Sequence, residues 1–314
     1  MSKNNETQKV RVRKGSSGLL VLPEKAAPLI YPMYSRARLS REGIIIKDKK
    51  AESIVERVEV RAKRANFSRL ATLYTGILTS MLDDHVEAFL ADHPGNAVVL
   101  HLGCGLDSRI DRVKGDYYHW YDVDLSYAIT TRRRFYKETD RYTMVATSVT
   151  GRNWLDPISE AAKGHPVVIV AEGLFMYLKE KEVNNLIINL CNHFPLAVLM
   201  FDSYSLAGAN RAAARTPAAS TRKERRAGKA GDPLMGWGLD DPALIEALHP
   251  SIRHLKTLLH TDSHHIKSLS RVEQFTFKMI RRLPVYNHLY RIYFFSIISP
   301  TIASQPAIAE GNDA

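Results

Sequence analysis

Gly103 and Gly105 enclose Cys104 directly after the apolar run Val98-Val99-Leu100-His101-Leu102, and Asp124 follows nineteen residues beyond Gly105. Two glycines let the backbone turn tightly and lie against a ligand. An acidic side chain about 20 residues further on, at the end of the next strand, is where nucleotide-binding α/β folds hold a ribose diol. The third position of the turn is Ser108, flanked by Asp107 and Arg109, where a dinucleotide dehydrogenase has its third glycine. A carboxylate in this turn repels a pyrophosphate but is tolerated by a ligand without phosphates. The spacing therefore favours an adenosyl ligand that lacks phosphate.

Other reactive side chains bear on the same question. Glu172 follows the apolar run Val167 to Ala171, and Tyr177 lies five residues beyond it. Each has a structural alternative: Asp124 as the cap of a helix starting near Ser126, Glu172 as the partner of a buried base, and Tyr177 as a core aromatic. His260, His264 and His265 cluster, but no carboxylate or cysteine recurs at ligand spacing, so no metal site is expected. The two cysteines, Cys104 and Cys191, offer neither a disulfide framework nor a metal motif, which favours the cytoplasm.

The elements that position these residues follow from periodicity. Val98 to Leu102 reads as a first strand, Tyr117 to Val123 as a second, Tyr142 to Thr147 as a third, Pro166 to Ala171 as a fourth and Leu196 to Phe201 as a fifth. Helical patterns lie between them, as at Ser126 to Glu138 and Lys179 to His193. Such alternation builds an α/β fold with a parallel sheet wound on both faces. Ile252 to His260 and Tyr290 to Ile298 read as two closing strands around a helix through Val272 to Arg281. Upstream, Ala51 to Arg64 and Phe67 to Leu90 repeat apolar residues at helical spacing and form a cap. The expected organisation is a flexible tail over 1–18, a helical cap over 19–93 and a main domain over 94–314. An insertion or lid over about 203–240 interrupts the last of these.

The chain has 314 residues and a formal charge of +11, concentrated in two places. Met1 to Arg64 carries 16 basic and 7 acidic residues, and Asn210 to Gly231 carries 7 and 1, so the remainder is net acidic. This excludes the uniformly basic face of a dedicated nucleic-acid-binding domain. The basic segments suit an anionic small-molecule acceptor, or simply aid solubility. Neither Gly18 to Leu22 nor Ile292 to Ile298 approaches the roughly 20 apolar residues of a membrane span.

Several segments then occur in a characteristic order: Gly105-Leu106-Asp107-Ser108-Arg109, Trp120-Tyr121-Asp122-Val123-Asp124-Leu125, Ser148-Val149 before Trp154, and Ala171-Glu172-Gly173-Leu174-Phe175-Met176-Tyr177-Leu178. Together with Gly236 to Pro242 they resemble the leucine carboxyl methyltransferase family, in the branch similar to polyketide-synthesis O-methyltransferases. The likeness spans roughly Ile44 to Asp241. It implies a class I methyltransferase fold, a Rossmann-like seven-stranded and mostly parallel sheet, that transfers methyl from S-adenosylmethionine to oxygen. By the same resemblance Gly103 and Gly105 cradle the amino acid portion of the methyl donor, Asp124 holds its ribose, Ser148 and Val149 meet its adenine, and Glu172 lies beside it. Tyr177 falls where such enzymes face the acceptor.

Two positions depart from the family pattern. Ser148 stands where the family often has Asp, and Leu78 stands where a family arginine pairs with the carboxylate of the methyl donor. Loss of that charge-assisted pair costs affinity. Arg69 is two turns or more away on the same helix, while Thr75 or Thr79 offers a neutral hydrogen bond. A relative that kept the fold as a binding module after losing competent methyl-donor binding is therefore the alternative to an active enzyme. A nicotinamide-dependent dehydrogenase shares the turn, but fits the cap and the Ala171 to Leu178 segment poorly. For the enzyme, a carboxylic acid with a pKa near ~4 is already ionised and needs no base, whereas a phenol near ~10 benefits from one. No histidine stands in an assignable catalytic position, which favours a carboxylate acceptor.

Overall fold

The runs Val98–Leu102 and Val167–Ala171 are buried at every position, the pattern of central strands covered on both faces. They form the middle of a seven-stranded sheet in the structure, a computed structural model that describes residues 13–14, 20–22, 27–60, 68–215, 237–283 and 287–300. Three short strands come first: β1 (Arg13–Lys14), β2 (Leu20–Leu22) and β3 (Val58–Val60). The main sheet is built from β4 (Val98–Leu102), β5 (His119–Asp124), β6 (Tyr142–Ala146), β7 (Val167–Ala171), β8 (Leu196–Tyr204), β9 (Ile252–Leu258) and β10 (Tyr290–Ile298). Its order is β6-β5-β4-β7-β8-β10-β9, with β4 to β8 parallel and β10 antiparallel to both of its neighbours.

The chain winds outward from β4 to β6 and then returns to place β7 on the other side of β4. Ligands of open α/β sheets bind outside the carboxyl ends of the strands at such a reversal. The glycine turn leaves β4 there, and Glu172 leaves β7 beside it.

Helices cover both faces of the sheet. On one side lie α1 (Ala27–Glu42), α2 (Lys49–Val55) and the 24-residue α3 (Arg69–Asp92), which starts where Ser68 Oγ accepts from Ala71 N–H. α1 and α3 approach so closely that a Cβ on Gly76 would come within 2.2 Å of Leu39 Cδ1. Leu39, Ile77, Leu82, Val99, Trp120 and Val168 share one apolar core on this side. The opposite core joins Leu100, Val123 and Ile169 to Leu186, Ile187 and Trp237, with α6 (Leu155–Ala161) and α7 (Glu180–His193) over it. Among the described residues the remaining α-helices are α4 (Arg109–Arg112), α5 (Ser126–Arg132), α8 (Leu206–Arg215), α9 (Ala243–Glu246) and α10 (Arg271–Arg281). Among the described residues, no helix is long and apolar enough to cross a membrane.

Three elements differ from the sequence reading. The helix expected over Ala51 to Arg64 ends at Val55, and Val58–Val60 instead pairs in parallel with Leu20–Leu22. Val58 and Val60 flank Glu59 in two-residue alternation, and β-branched side chains favour the pleated geometry; residues 61–64 lie outside the described set. The fifth strand continues past Phe201 to Tyr204, because β10 pairs with it along its whole length. The helix expected through Glu138 stops at Arg132, where Thr130 and Thr131 return their hydroxyls to the carbonyls of Ser126 and Tyr127. Most of the expected tail, and residues 216–236 of the expected lid, lie outside the described residues.

Candidate functional site

The turn after β4 begins with Gly103 at φ 65° and includes Gly105 at φ 49°, a left-handed backbone that glycine adopts without a Cβ clash. Gly103 N–H donates to Val123 O at 2.8 Å. Gly105 N–H donates to Asp124 Oδ2 at 2.7 Å, and Leu125 N–H donates to Oδ1 at 2.6 Å. Each carboxylate oxygen thus keeps a lone pair for a further donor. Asp124 is nearly buried, and burial raises its pKa from the ordinary value against the lowering effect of these two hydrogen bonds. Beneath the turn, the buried Arg132 guanidinium donates to the carbonyls of Gly105 and Asp107. Arg132 is held in turn by Asp122, which also accepts from Trp120 Nε1 and the Tyr142 hydroxyl. Burial works against the Asp122 charge, but the adjacent Arg132 and His101 hold its pKa down to about 2.

Asp107 and Arg109, both visible in the sequence as part of the turn, are buried in an ionic cluster rather than open to the ligand. Asp107 pairs with Arg36 at 3.1 Å and Arg112 at 2.7 Å. Burial favours its neutral form, yet Arg112, Arg36 and Arg109 together hold its pKa well below the ordinary range. Its charge is thereby neutralised, so the argument that it repels a pyrophosphate does not describe this turn. Arg109 donates to Asp83 at 2.7 Å and to Glu172, whose other carboxylate oxygen accepts from Thr79 Oγ1 at 2.7 Å. Arg112 reaches Asp83 and Asp48, and Ser108 Oγ also donates to Asp48. Four carboxylates (Asp48, Asp83, Asp107 and Glu172) therefore face three guanidinium groups, Arg36, Arg109 and Arg112.

Ser148 and Val149 follow β6, immediately beyond Thr147, whose N–H donates to Asp124 O at 2.8 Å. Ser148 Oγ is 2.8 Å from Thr150 Oγ1, and Val149 is buried. The fold thus gathers Gly103, Gly105, Asp124, Ser148, Val149 and Glu172 at the carboxyl edge of four adjacent strands. Cys104, between the glycines, is buried, and burial lifts its thiol pKa well above the ordinary range.

Residues 25–191, more than half of the chain, match the family model for leucine carboxyl methyltransferase. The chain is 32% identical over 252 residues to the tetracenomycin polyketide synthesis O-methyltransferase TcmP of Streptomyces glaucescens, covering 79% of this chain and 87% of that protein. The chain belongs to the leucine carboxyl methyltransferase family. It is an S-adenosylmethionine-dependent methyltransferase. A second relative, the S-adenosyl-L-methionine-dependent methyltransferase dpfgK of Gibberella zeae, is 28% identical over 193 residues, 56% of this chain and 64% of its own length. Among solved structures, a putative methyltransferase from Thermobifida fusca aligns over 84% of this chain and 94% of its own, with a TM-score of 0.48 and 15% identity.

Leu78, where the resemblance sets the family arginine, is buried in the core between α3 and the sheet. Arg69 cannot stand in for it, because its guanidinium pairs with Glu42 and Glu273. Thr75 Oγ1 is engaged by Ala71 O, and Thr79 Oγ1 by Glu172.

Beside Glu172 the fold adds a residue that the sequence reading missed. Asp202, completely buried at the end of β8, accepts from Gly173 N–H at 2.6 Å and from the Tyr290 hydroxyl. Burial and the charge of Glu172 push its carboxyl up to about 7. The Tyr204 ring meets Tyr290 edge-on at 4.5 Å, and His260 lies 5.6 Å from Tyr290 and 4.5 Å from Tyr74. His260 is buried, which lowers its pKa to about 3 and keeps it neutral. Tyr177 is 42% exposed rather than a core side chain. The signal for Asp202 was a lone carboxylate closing an apolar strand, the same pattern that exposed Glu172 one strand away.

Proposed function

We propose that the chain methylates an oxygen of a small polyketide-type molecule, a carboxylate in the first instance. The observation that carries this reading is the glycine turn locked to Asp124 at the sheet's reversal, beside a cluster with more carboxylate than guanidinium. The residues present fit S-adenosylmethionine: Asp124 retains lone pairs for two hydroxyls, and the excess negative charge suits a cationic ligand. When bound, that group supplies a methyl already activated by its positively charged sulfur.

The chain's own task is then alignment and exclusion of water. Gly103 and Gly105 allow close backbone approach, Asp124 holds the ribose, Ser148 and the apolar Val149 line the adenine side, and Glu172 holds the cationic end. Glu172 is fixed for this by Arg109 and Thr79. Tyr177 lies toward the acceptor. Leu78 removes one charged contact, so binding rests on the turn and on these acids. A cytoplasmic setting belongs to the same reading, supported by the two buried, unpaired cysteines.

The acceptor class is supported by the 32% identical relative, a polyketide synthesis O-methyltransferase, and by elementary acidity. A carboxylate needs no base at neutral pH. Asp202 favours a second reading, a hydroxyl acceptor, because a carboxyl at about 7 is suited to taking a proton from it. Incubation with S-adenosylmethionine and either 1-naphthoic acid or 1-naphthol, followed by mass spectrometry, separates the two. Methyl ester from the acid, with Asp202→Asn changing the rate by less than about threefold, is the expected result. Methyl ether alone, lost by ~100-fold or more in Asp202→Asn, overturns the carboxylate reading.

A further inference from the structure

His264 and His265 open a short 3-10 turn over His264–Ser268; the adjacent Asp262 turns its carboxylate to Leu259 N–H, so the pair has no carboxylate partner in its own segment. The fold brings one from α3. Asp84 Oδ2 lies 2.8 Å from His265 Nε2 and 3.7 Å from His264 Nδ1, so both imidazoles converge on a single oxygen. The two rings lie 4.0 Å apart between centroids, and one ligand atom from each of the three residues falls within 4.8 Å of the others. Ligand atoms of a tetrahedral zinc are separated by about 3.4 Å, given metal–ligand bonds near 2.0–2.1 Å. The three groups are therefore already spaced to close on an ion with small side-chain rotations.

The turn that carries them is fixed independently of any ion. Ser263 Oγ accepts from His265 N–H, Ser268 Oγ donates to His265 O at 2.8 Å, and the same Ser268 oxygen accepts from Ile45 N–H. His265 is only 17% exposed at its side chain, while His264 and Asp84 are open at 69% and 40%, which leaves an entry path and room for water as a further ligand.

We propose that Asp84, His264 and His265 form a binding site for a borderline divalent cation such as Zn2+, which clasps the C-terminal 3-10 turn to α3. Two imidazoles and one carboxylate select zinc, nickel, cobalt or copper over magnesium and calcium. The site is separate from the glycine turn, and its role is to tie two chain segments that are about 180 residues apart in sequence.

The test uses the untagged full chain, stripped with chelator and desalted, and titrated with ZnCl2 in competition with a chromophoric indicator at about pH 7.5. One equivalent should bind with a dissociation constant in the micromolar range or tighter. The binding should weaken at least tenfold in Asp84→Asn and in His264→Ala, the latter an exposed position whose loss leaves the fold intact. The thermal midpoint of the parent should rise with Zn2+, and that of either variant should not. Absence of saturable binding in the parent, or binding unchanged in both variants, overturns the assignment.

Discussion

Asp202 has a carboxyl raised to about 7, whereas the same group in an unfolded chain ionises near 3.8. Folded protein therefore binds the extra proton. The stability this contributes is fully present below about pH 4 and is lost as pH rises through about 7. Urea unfolding of parent and Asp202→Asn across this range should show the parent falling relative to the variant, with a slope approaching about 1.4 kcal/mol per pH unit. Parallel pH curves would sink the assignment. Asp122 behaves oppositely: its pKa of about 2 gives stability above about pH 4 that disappears as pH falls toward 2. At this scale Asp124 and Glu172 were legible because each closes an apolar strand run. Asp202 follows the apolar run to Phe201 in the same way, but its partner Tyr290 comes 88 residues later, so its burial and pairing are not readable from local spacing. The types of Asp107 and Arg109 were equally visible, but their pairing with Arg36 and Asp83 depends on elements that sequence spacing does not bring together.

Among the elements, α4 carries a side chain that ties three segments together. Arg112 reaches Asp48 before α2, Asp83 on α3, and Asp107 in the turn, all of them buried. Removing one partner of a buried ion cluster leaves the others uncompensated. Arg112→Leu should accordingly cost about 3–5 kcal/mol in urea unfolding at neutral pH; a loss under about 1 kcal/mol would show that the cluster does not hold the helices to the turn. Strand positions were readable because fully apolar runs such as Val98–Leu102 allow few other structures. The stretch Ala51 to Arg64 misled because Ile54, Val55 and Val58 fit a helical period, while the pairing of Val58–Val60 with Leu20–Leu22 is a long-range choice. Only the fold revealed that Asp84 meets His264 and His265.

At the level of the whole molecule, two apolar cores sandwich a sheet whose strand order reverses beside β4, and this reversal brings the glycine turn, Asp124 and Glu172 to one edge. Family membership supplies the methyl donor, and in the proposed reading the turn, Asp124 and Glu172 hold it without a charged side chain at Leu78. The measurement that bears most directly on this account is calorimetric titration of the full chain with S-adenosylmethionine, beside Asp124→Ala under the same conditions. One-to-one binding should be weakened by ~1–3 kcal/mol in the variant, the range for losing hydrogen bonds to a charged group, with the near-ultraviolet circular dichroism unchanged. No binding by the parent, or equal affinity in the two proteins, would contradict it.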